Sequence, residues 1–320
     1  MTNHKYSWAI GAEESAGGNH ITISGPGRKT NGGIGLFKNK SIVFFVPTGV
    51  FATILLYLVG WNVYTSLTDS SSFHPVARFV GFSTFATVFS DPIFQSSLLH
   101  SMLWAISLII CGNLLGIVFA TLIYNIGSAR IRLVFTTIFI YPLAISLAAS
   151  AVIWTWLFNT TTGINTILSA VGLPRYTWLD RPGSALPSLI LVSVWIFTGL
   201  AMIFYLASFQ NVGREVIESA RIDGASTFRV LVKILLPESK NAFIVSTALL
   251  FLFALRIFSL PFVSTGVNPF TETSVLNMYY YYITEFFAKS SVVSVVLVII
   301  AAIVVIPYAM LGLKRWIAHD

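Results

Sequence analysis

Charge is scarce in this chain. Only 10% of its 320 residues are Asp, Glu, Lys or Arg, against 56% apolar residues and a mean hydropathy of +0.81. So few polar side chains cannot cover a globule in water, which excludes an ordinary soluble domain and places the chain in a bilayer. Cysteine is almost missing: Cys111 stands alone in an apolar run, so no internal disulfide and no thiolate metal set can form. It reads as a small packing residue. Groups for catalysis are equally thin. His100 is solitary in an apolar stretch, His74 lies in a connecting segment, and the acidic residues cluster in only one place. A polytopic membrane enzyme needs carboxylates or histidines converging near one interface, and an ion-coupled transporter needs several ionisable residues inside its spans. Neither pattern is present. Gly25-Pro26-Gly27-Arg28-Lys29-Thr30 also fails the spacing of a phosphate loop, so no nucleotide-binding motif is found.

What the chain has is long apolar runs. About 20 such residues are needed to cross roughly 30 Å of hydrocarbon as a helix. Six stretches qualify: Ile42 to Tyr64, Leu98 to Tyr124, Val134 to Phe158, Ser188 to Phe209, Ala242 to Val263 and Val292 to Leu313. Pro47, Pro142 and Pro307 fall inside them, which a bilayer tolerates because neighbouring helices re-satisfy the freed carbonyls. The expectation is an all-α polytopic membrane protein with six transmembrane helices and a long loop between spans four and five. Residues 1–40, with eight glycines and no apolar periodicity, read as a disordered tail and not as a secretory signal. Residues 41–94 hold the first span and an outer loop, 95–315 the remaining five spans, and 316–320 a short tail.

The net charge of +7 is sorted along the chain. Fourteen of the 19 basic residues lie in the tail, the second and fourth connections and the C-terminus. The alternate connections hold only Arg78, Arg175, Arg181 and Lys289. Basic residues collect on the cytoplasmic side, so both termini are expected there, in a cytoplasmic membrane. The charge is thus a topology signal, and no stacking aromatics accompany it as nucleic-acid binding would require.

The fourth connection, 211–241, is long, charged and still helical in pattern. Ile217, Ala220 and Gly224, then Phe228, Leu231 and Leu235, repeat an apolar spacing that predicts two short amphipathic helices. Gly224 permits a sharp turn between them, Ser226 suits the cap of the second, and Pro237 ends it. Alone, this pattern also fits a helix pair lying on the bilayer surface.

These residues carry a resemblance. Glu218-Ser219-Ala220, Asp223-Gly224-Ala225, Phe228, Ile234 and Leu236-Pro237 resemble the coupling loop of type I ABC import permeases, the family of the maltose and glycerol-phosphate uptake systems. Ser219 stands where that family has Ala. Arg256-Ile257-Phe258, Thr265-Gly266, Pro269, Thr273 and Tyr279 to Tyr282 are similar to a stretch of its sugar branch, with Ser259 in place of an Asp and Val267-Asn268 in place of a Gly. The resemblance implies a transport subunit that docks Glu218, Ser219, Ala220, Asp223, Gly224, Ala225, Phe228, Leu236 and Pro237 against a cytoplasmic ATPase dimer. ATP and Mg would bind that partner, and no cofactor or metal this chain. A second, different permease and an extracytoplasmic solute-binding protein are the other expected partners, beside the lipid bilayer. The solute would be a sugar or sugar-like molecule, with glycerol-phosphate or a polyamine as alternatives.

Small side chains in the loop allow close approach, Glu218 could pair with a basic residue of the ATPase, and Asp223 is expected to hold the turn through backbone amides. Arg256, the one cation inside a span, must face protein or a watery cavity: it lines the translocation path or ties helix ends together. Asn113, Trp195 and Tyr205 are further path candidates, while Trp104 and Trp154 could equally pack. Glu272 and Glu285 are expected to be solvated in the outer loop or to meet a solute-delivery protein. Asn159-Thr160-Thr161 matches a glycosylation acceptor.

Overall fold

The computed structural model of the protein describes residues 40–74 and 76–317. The tail expected at 1–40 lies outside the described residues, save that Lys40 opens the first helix, and so do the last three residues of the 316–320 tail. Two compact units are distinguished, one through Ile54 and one from Leu55 onward. The described part of the first is the opening of helix α1, which runs Lys40–Ser66 and contains Pro47.

The rest is mostly helical, with no named strand among the described residues. Two isolated bridges, Thr68 to Phe79 and Ser71 to His74, fold the segment after α1. Then come α2 (Ser83–Phe89), α3 (Pro92–Tyr124), α4 (Ala129–Ala144), α5 (Leu147–Leu157), α6 (Gly163–Ala170) and α7 (Pro182–Gln210). The loop region holds α8 (Arg214–Ile222), α9 (Thr227–Val230) and α10 (Leu236–Glu238), with one turn of π-helix between the last two. The chain closes with α11 (Lys240–Leu255), α12 (Ser259–Thr265), α13 (Ser274–Ile283) and α14 (Phe287–Ile317).

Among the described residues four helices, α1, α3, α7 and α14, are long and apolar enough to cross a membrane, and the number rises to six if each of two bent pairs counts as one span. The third expected span is one of these pairs. Val134 to Phe158 is not a single rod: α4 and α5 meet at 97°. Pro142 withholds an N–H near the end of α4, after which Ile145 and Ser146 turn extended and the Ser146 hydroxyl caps α5 by accepting from the Ala149 amide at 3.2 Å. The fifth expected span also stops short. Ala242 to Val263 breaks after Leu255, and α12 departs to pack against α5.

Helix α7 is the hub, packing against α3, α4 and α11. Its most apolar stretch is 67% buried, against 33% for α3 and 22% for α14. In lipid, helices associate through close packing, not through hydrophobic gain, and small residues make that possible. Gly112, Gly116 and Ala120 repeat every four residues on α3; an added Cβ at Gly116 would stand 2.7 Å from that of Ala201 on α7. Cys111, next in line, is exposed, contrary to its expected packing role: it falls on the opposite face of α3 from this seam.

Candidate functional site

The loop between α7 and α11 is built by helix-termination chemistry. Helix α8 carries Glu215 in its first turn and Arg221 in its last, complementing the helix dipole. It ends at Gly224, whose φ of +78° is left-handed. There the Ala225 amide donates to the Ala220 carbonyl at 2.9 Å and the Gly224 amide to Arg221 at 3.0 Å. This bond pair closes a helix on a left-handed residue, a position that favours glycine. The Asp223 carboxylate, expected to hold the turn, forms no hydrogen bond among the described residues; backbone bonds do that work.

Ser226 then caps α9 as expected, accepting from the Arg229 amide at 3.3 Å. The π-turn Leu231–Leu235 leads into Pro237, and Ser239 marks a 74° bend into α11. Proline lacks the amide that a regular helix would bond to the preceding turn, so the turn before it widens and a break follows it closely.

The loop's two faces differ from the expected stripes. Ile217, Val230 and Leu235 are buried, with Leu231 and Ile234 packed against them. Phe228, placed on the inner stripe from its spacing, is 73% exposed, and Ile222 is 87% exposed. Glu218, Ser219, Gly224 and Pro237 are exposed as well, Ala220, Ala225 and Leu236 half-buried. The outer face thus presents two large apolar side chains beside a glycine whose Cβ position is empty.

Two of the path candidates, Asn113 and Tyr205, are joined in the core. The Asn113 Oδ1 accepts from Tyr205 at 2.8 Å and from Ser246 at 2.6 Å, while its amide donates to the Ile109 carbonyl at 2.8 Å and Thr247 at 3.2 Å. All four bonding positions of the carboxamide are filled. Asn113 is 4% exposed, so it stands as a knot tying α3, α7 and α11, correcting its assignment to the path. Tyr205 borders an apolar groove of about 460 Å³ beside Ile117 and Phe243 with its ring, its hydroxyl being committed to Asn113. Asn113→Leu is expected to orphan the Tyr205 hydroxyl and cost roughly 1–3 kcal/mol, nearer the lower end in a bilayer. A lowered melting temperature of the solubilised protein with an unchanged solute preference checks this.

Trp195 is exposed and meets Trp154 edge-on at 5.4 Å. Trp104 is fully buried and donates to Ser193 at 2.9 Å, a packing role. Arg256 sits at the break between α11 and α12, exposed, with its guanidinium 5.7 Å from the Phe253 ring centre. The break puts it at a helix end and not inside a continuous span. Asn159 is exposed; its Oδ1 accepts from the Thr161 amide and hydroxyl at 2.9 and 2.8 Å.

Glu272 departs most from expectation: it is 4% exposed, not solvated. Its carboxylate accepts from the Asn277 amide at 2.9 Å, and Asp91, which caps α3, accepts from the Tyr281 hydroxyl nearby. Burial pushes the Glu272 carboxyl up from the ordinary value of 4.5, and Asp91 adds to this, against the Asn277 bond and His100. The folded protein then holds a proton that the unfolded chain has already lost. Stability from this group is therefore full below the ordinary glutamate range and declines as pH rises through it toward the elevated folded value. A melting temperature that falls over that window, and a flatter profile in Glu272→Gln, is the expected result.

Among the described residues no three ligating side chains converge on a metal position. Residues 112–319 match the family described as "Binding-protein-dependent transport system inner membrane component". The glucose import system permease GlcT of Saccharolobus solfataricus is 45% identical over 88% of this chain and 99% of its own length. The trehalose/maltose transport permease MalF of Thermococcus litoralis is 30% identical over 72% of this chain and 78% of its own. A chain of a bacterial alginate ABC transporter, solved with an alginate-bound periplasmic protein, shares the fold at a TM-score of 0.73 and 21% identity, covering 83% of this chain and 91% of its own. The chain belongs to the binding-protein-dependent transport system inner membrane components: it is a multi-pass permease subunit of an ABC importer, a transport component and not an enzyme, working with an ATPase and a solute-binding protein.

Proposed function

We propose that this permease moves a sugar across the cytoplasmic membrane by alternating access, paired with a second and different permease. The observation that carries the solute class is the 45% identity, over nearly the whole length of both chains, with a permease named for glucose import. A count of six spans, with α4 and α5 together as the third and α11 alone as the fifth, would put both termini on the cytoplasmic face with the loop 211–241, in keeping with the sorted basic residues. The core of the subunit is 95–315.

The loop is the coupling element. Ile222 and Phe228 enter a groove of the ATPase, Gly224 and Ala225 let its backbone come close, and Glu218 pairs with a basic residue there. Ser219, Ala220, Asp223, Leu236 and Pro237 set the shape of that surface. ATP and Mg bind the ATPase. Its closure draws two such loops together, and the rigid packing around α7 transmits the movement to the spans. Arg256, with the aromatic edge of Trp195, belongs to the path wall: an exposed guanidinium at a helix break donates readily to sugar hydroxyls, whereas Tyr205, 1% exposed, stays in the knot with Asn113.

The deciding experiment reconstitutes the complete importer in vesicles and measures ATP hydrolysis with the binding protein loaded in turn with glucose, a pentose, a disaccharide, glycerol-phosphate and a polyamine. Stimulation by a neutral sugar is expected. Stimulation by glycerol-phosphate or the polyamine alone overturns the sugar assignment.

A further inference from the structure

A polar cleft of about 520 Å³ opens where α3 passes into α4, beside the start of α8. Asn125, Arg132, Gln210, Arg214, Glu218 and Arg221 line it. Three guanidiniums around one carboxylate leave a surplus of positive charge in a confined space, where such a surplus concentrates anions.

Each arginine is held differently. Arg132 donates from Nη2 to the Ile126 carbonyl at 2.7 Å, which fixes its plane, while its Nε is shut off from solvent with no hydrogen-bond partner. An enclosed donor without an acceptor is costly, and turning the guanidinium toward an anion in the cleft would satisfy it. Arg221 donates to the Asn125 Oδ1 at 3.1 Å, linking α8 to the α3–α4 turn. Arg214 opens α8 and has no side-chain hydrogen bond among the described residues. Both α4 and α8 begin without a side-chain cap, Ser128 and Gly213 offering none, so their first amides add positive potential here.

We propose that this cleft binds a phosphate-bearing anion, with Arg132, Arg214 and Arg221 as its donors. Guanidiniums from two facing walls, Arg132 on α4 and Arg214 with Arg221 on α8, suit an anion with oxygens on several sides better than a planar carboxylate. Tyr124 and Ile126 at the margin give an apolar edge, so the same chemistry could arrive as a lipid headgroup or as free phosphate. Glu218 opposes the anion and sets a modest affinity. Since the walls come from the α3–α4 turn on one side and α8 on the other, occupancy would clamp α8 against the bundle.

The test uses the complete importer in two arms. In one, it is held in phosphatidylcholine vesicles doped with phosphatidic acid, and retained lipid is counted by native mass spectrometry. In the other, inorganic phosphate is titrated against chloride at matched ionic strength in pure phosphatidylcholine, with the melting temperature as readout. Retention in the first arm alone assigns a headgroup, and a shift in the second assigns soluble phosphate; either supports the site. Arg214→Gln, an exposed change that spares folding, is expected to weaken binding about tenfold. No binding in either arm, or binding that Arg214→Gln leaves unchanged, overturns the proposal.

Discussion

Gly224→Val leaves the importer assembled and abolishes ATP-driven uptake: this is the largest functional effect expected of any single change in the loop. The residue has φ +78°, and a Cβ built there meets nothing within 4 Å. The permease itself therefore has room for the side chain. The cost lies in the backbone, about 1–2 kcal/mol for an ordinary residue in the left-handed region and more for a β-branched one. Relief comes from opening the turn, which would break the Ala225-to-Ala220 and Gly224-to-Arg221 bonds and swing Ile222 and Phe228 out of register. Uptake in vesicles should fall at least about tenfold, since a loss of 1.4 kcal/mol at a docking contact is a factor of ten, while the yield of intact complex holds. Gly224→Asn separates two causes, because Asn tolerates this conformation but still adds a side chain. Restored uptake in Asn places the effect in the turn, and continued loss places it in the close approach of the ATPase. Wild-type uptake in Gly224→Val would remove the loop from coupling.

The turn at Gly224 and the cap at Ser226 were legible in the sequence because each rests on one residue's local chemistry. Phe228 was not. Its i+3 and i+7 neighbours, Leu231 and Leu235, do point inward, but Phe228 lies at the second position of a four-residue helix, before the π-turn shifts the register, and regular periodicity cannot anticipate that shift. Spacing found the apolar character of the spans and missed two breaks, at Ile145–Ser146 and at Arg256, since hydropathy reads composition and not direction. Pro142 was a visible signal for the first. The fate of Asn113 depended on Tyr205, Ser246 and Thr247, which are brought beside it from two other helices. A polar residue in a span reads alike from sequence whether it faces a path or a knot. Glu272 misled for a related reason: the element enclosing it, α13, is not long enough to announce itself as a span. The Gly112, Gly116, Ala120 spacing is, by contrast, written in the sequence itself: small residues four apart mark the close α3–α7 seam.

The largest structural effect is expected at Gly199→Leu, which should prevent assembly of the permease. A Cβ at this position would lie 2.1 Å from the Phe139 carbonyl oxygen and 2.8 Å from its carbon. Those atoms belong to the backbone of α4, so no rotamer change can yield. Either α4 and α7 separate, losing the packing that holds a short, bent span to the hub, or α4 shifts along α7. Separation also strains the Phe119 and Phe139 rings, stacked at 4.2 Å between α3 and α4. The penalty should exceed the roughly 1–3 kcal/mol of ordinary overpacking, because that range assumes side chains can give way. Even Gly199→Ala meets the same backbone and should lower the melting temperature of the solubilised protein. Gly183→Ala is the matched control on α7: nothing lies within 4 Å of its added Cβ, and alanine is the better helix former. A normal melting temperature and yield in Gly183→Ala beside loss of both in Gly199→Leu locates the effect in the α4–α7 contact. Should Gly199→Leu assemble normally, α4 cannot press on α7 at this point in the membrane. The rigid route by which movement of the loop reaches the third span would then have to run elsewhere.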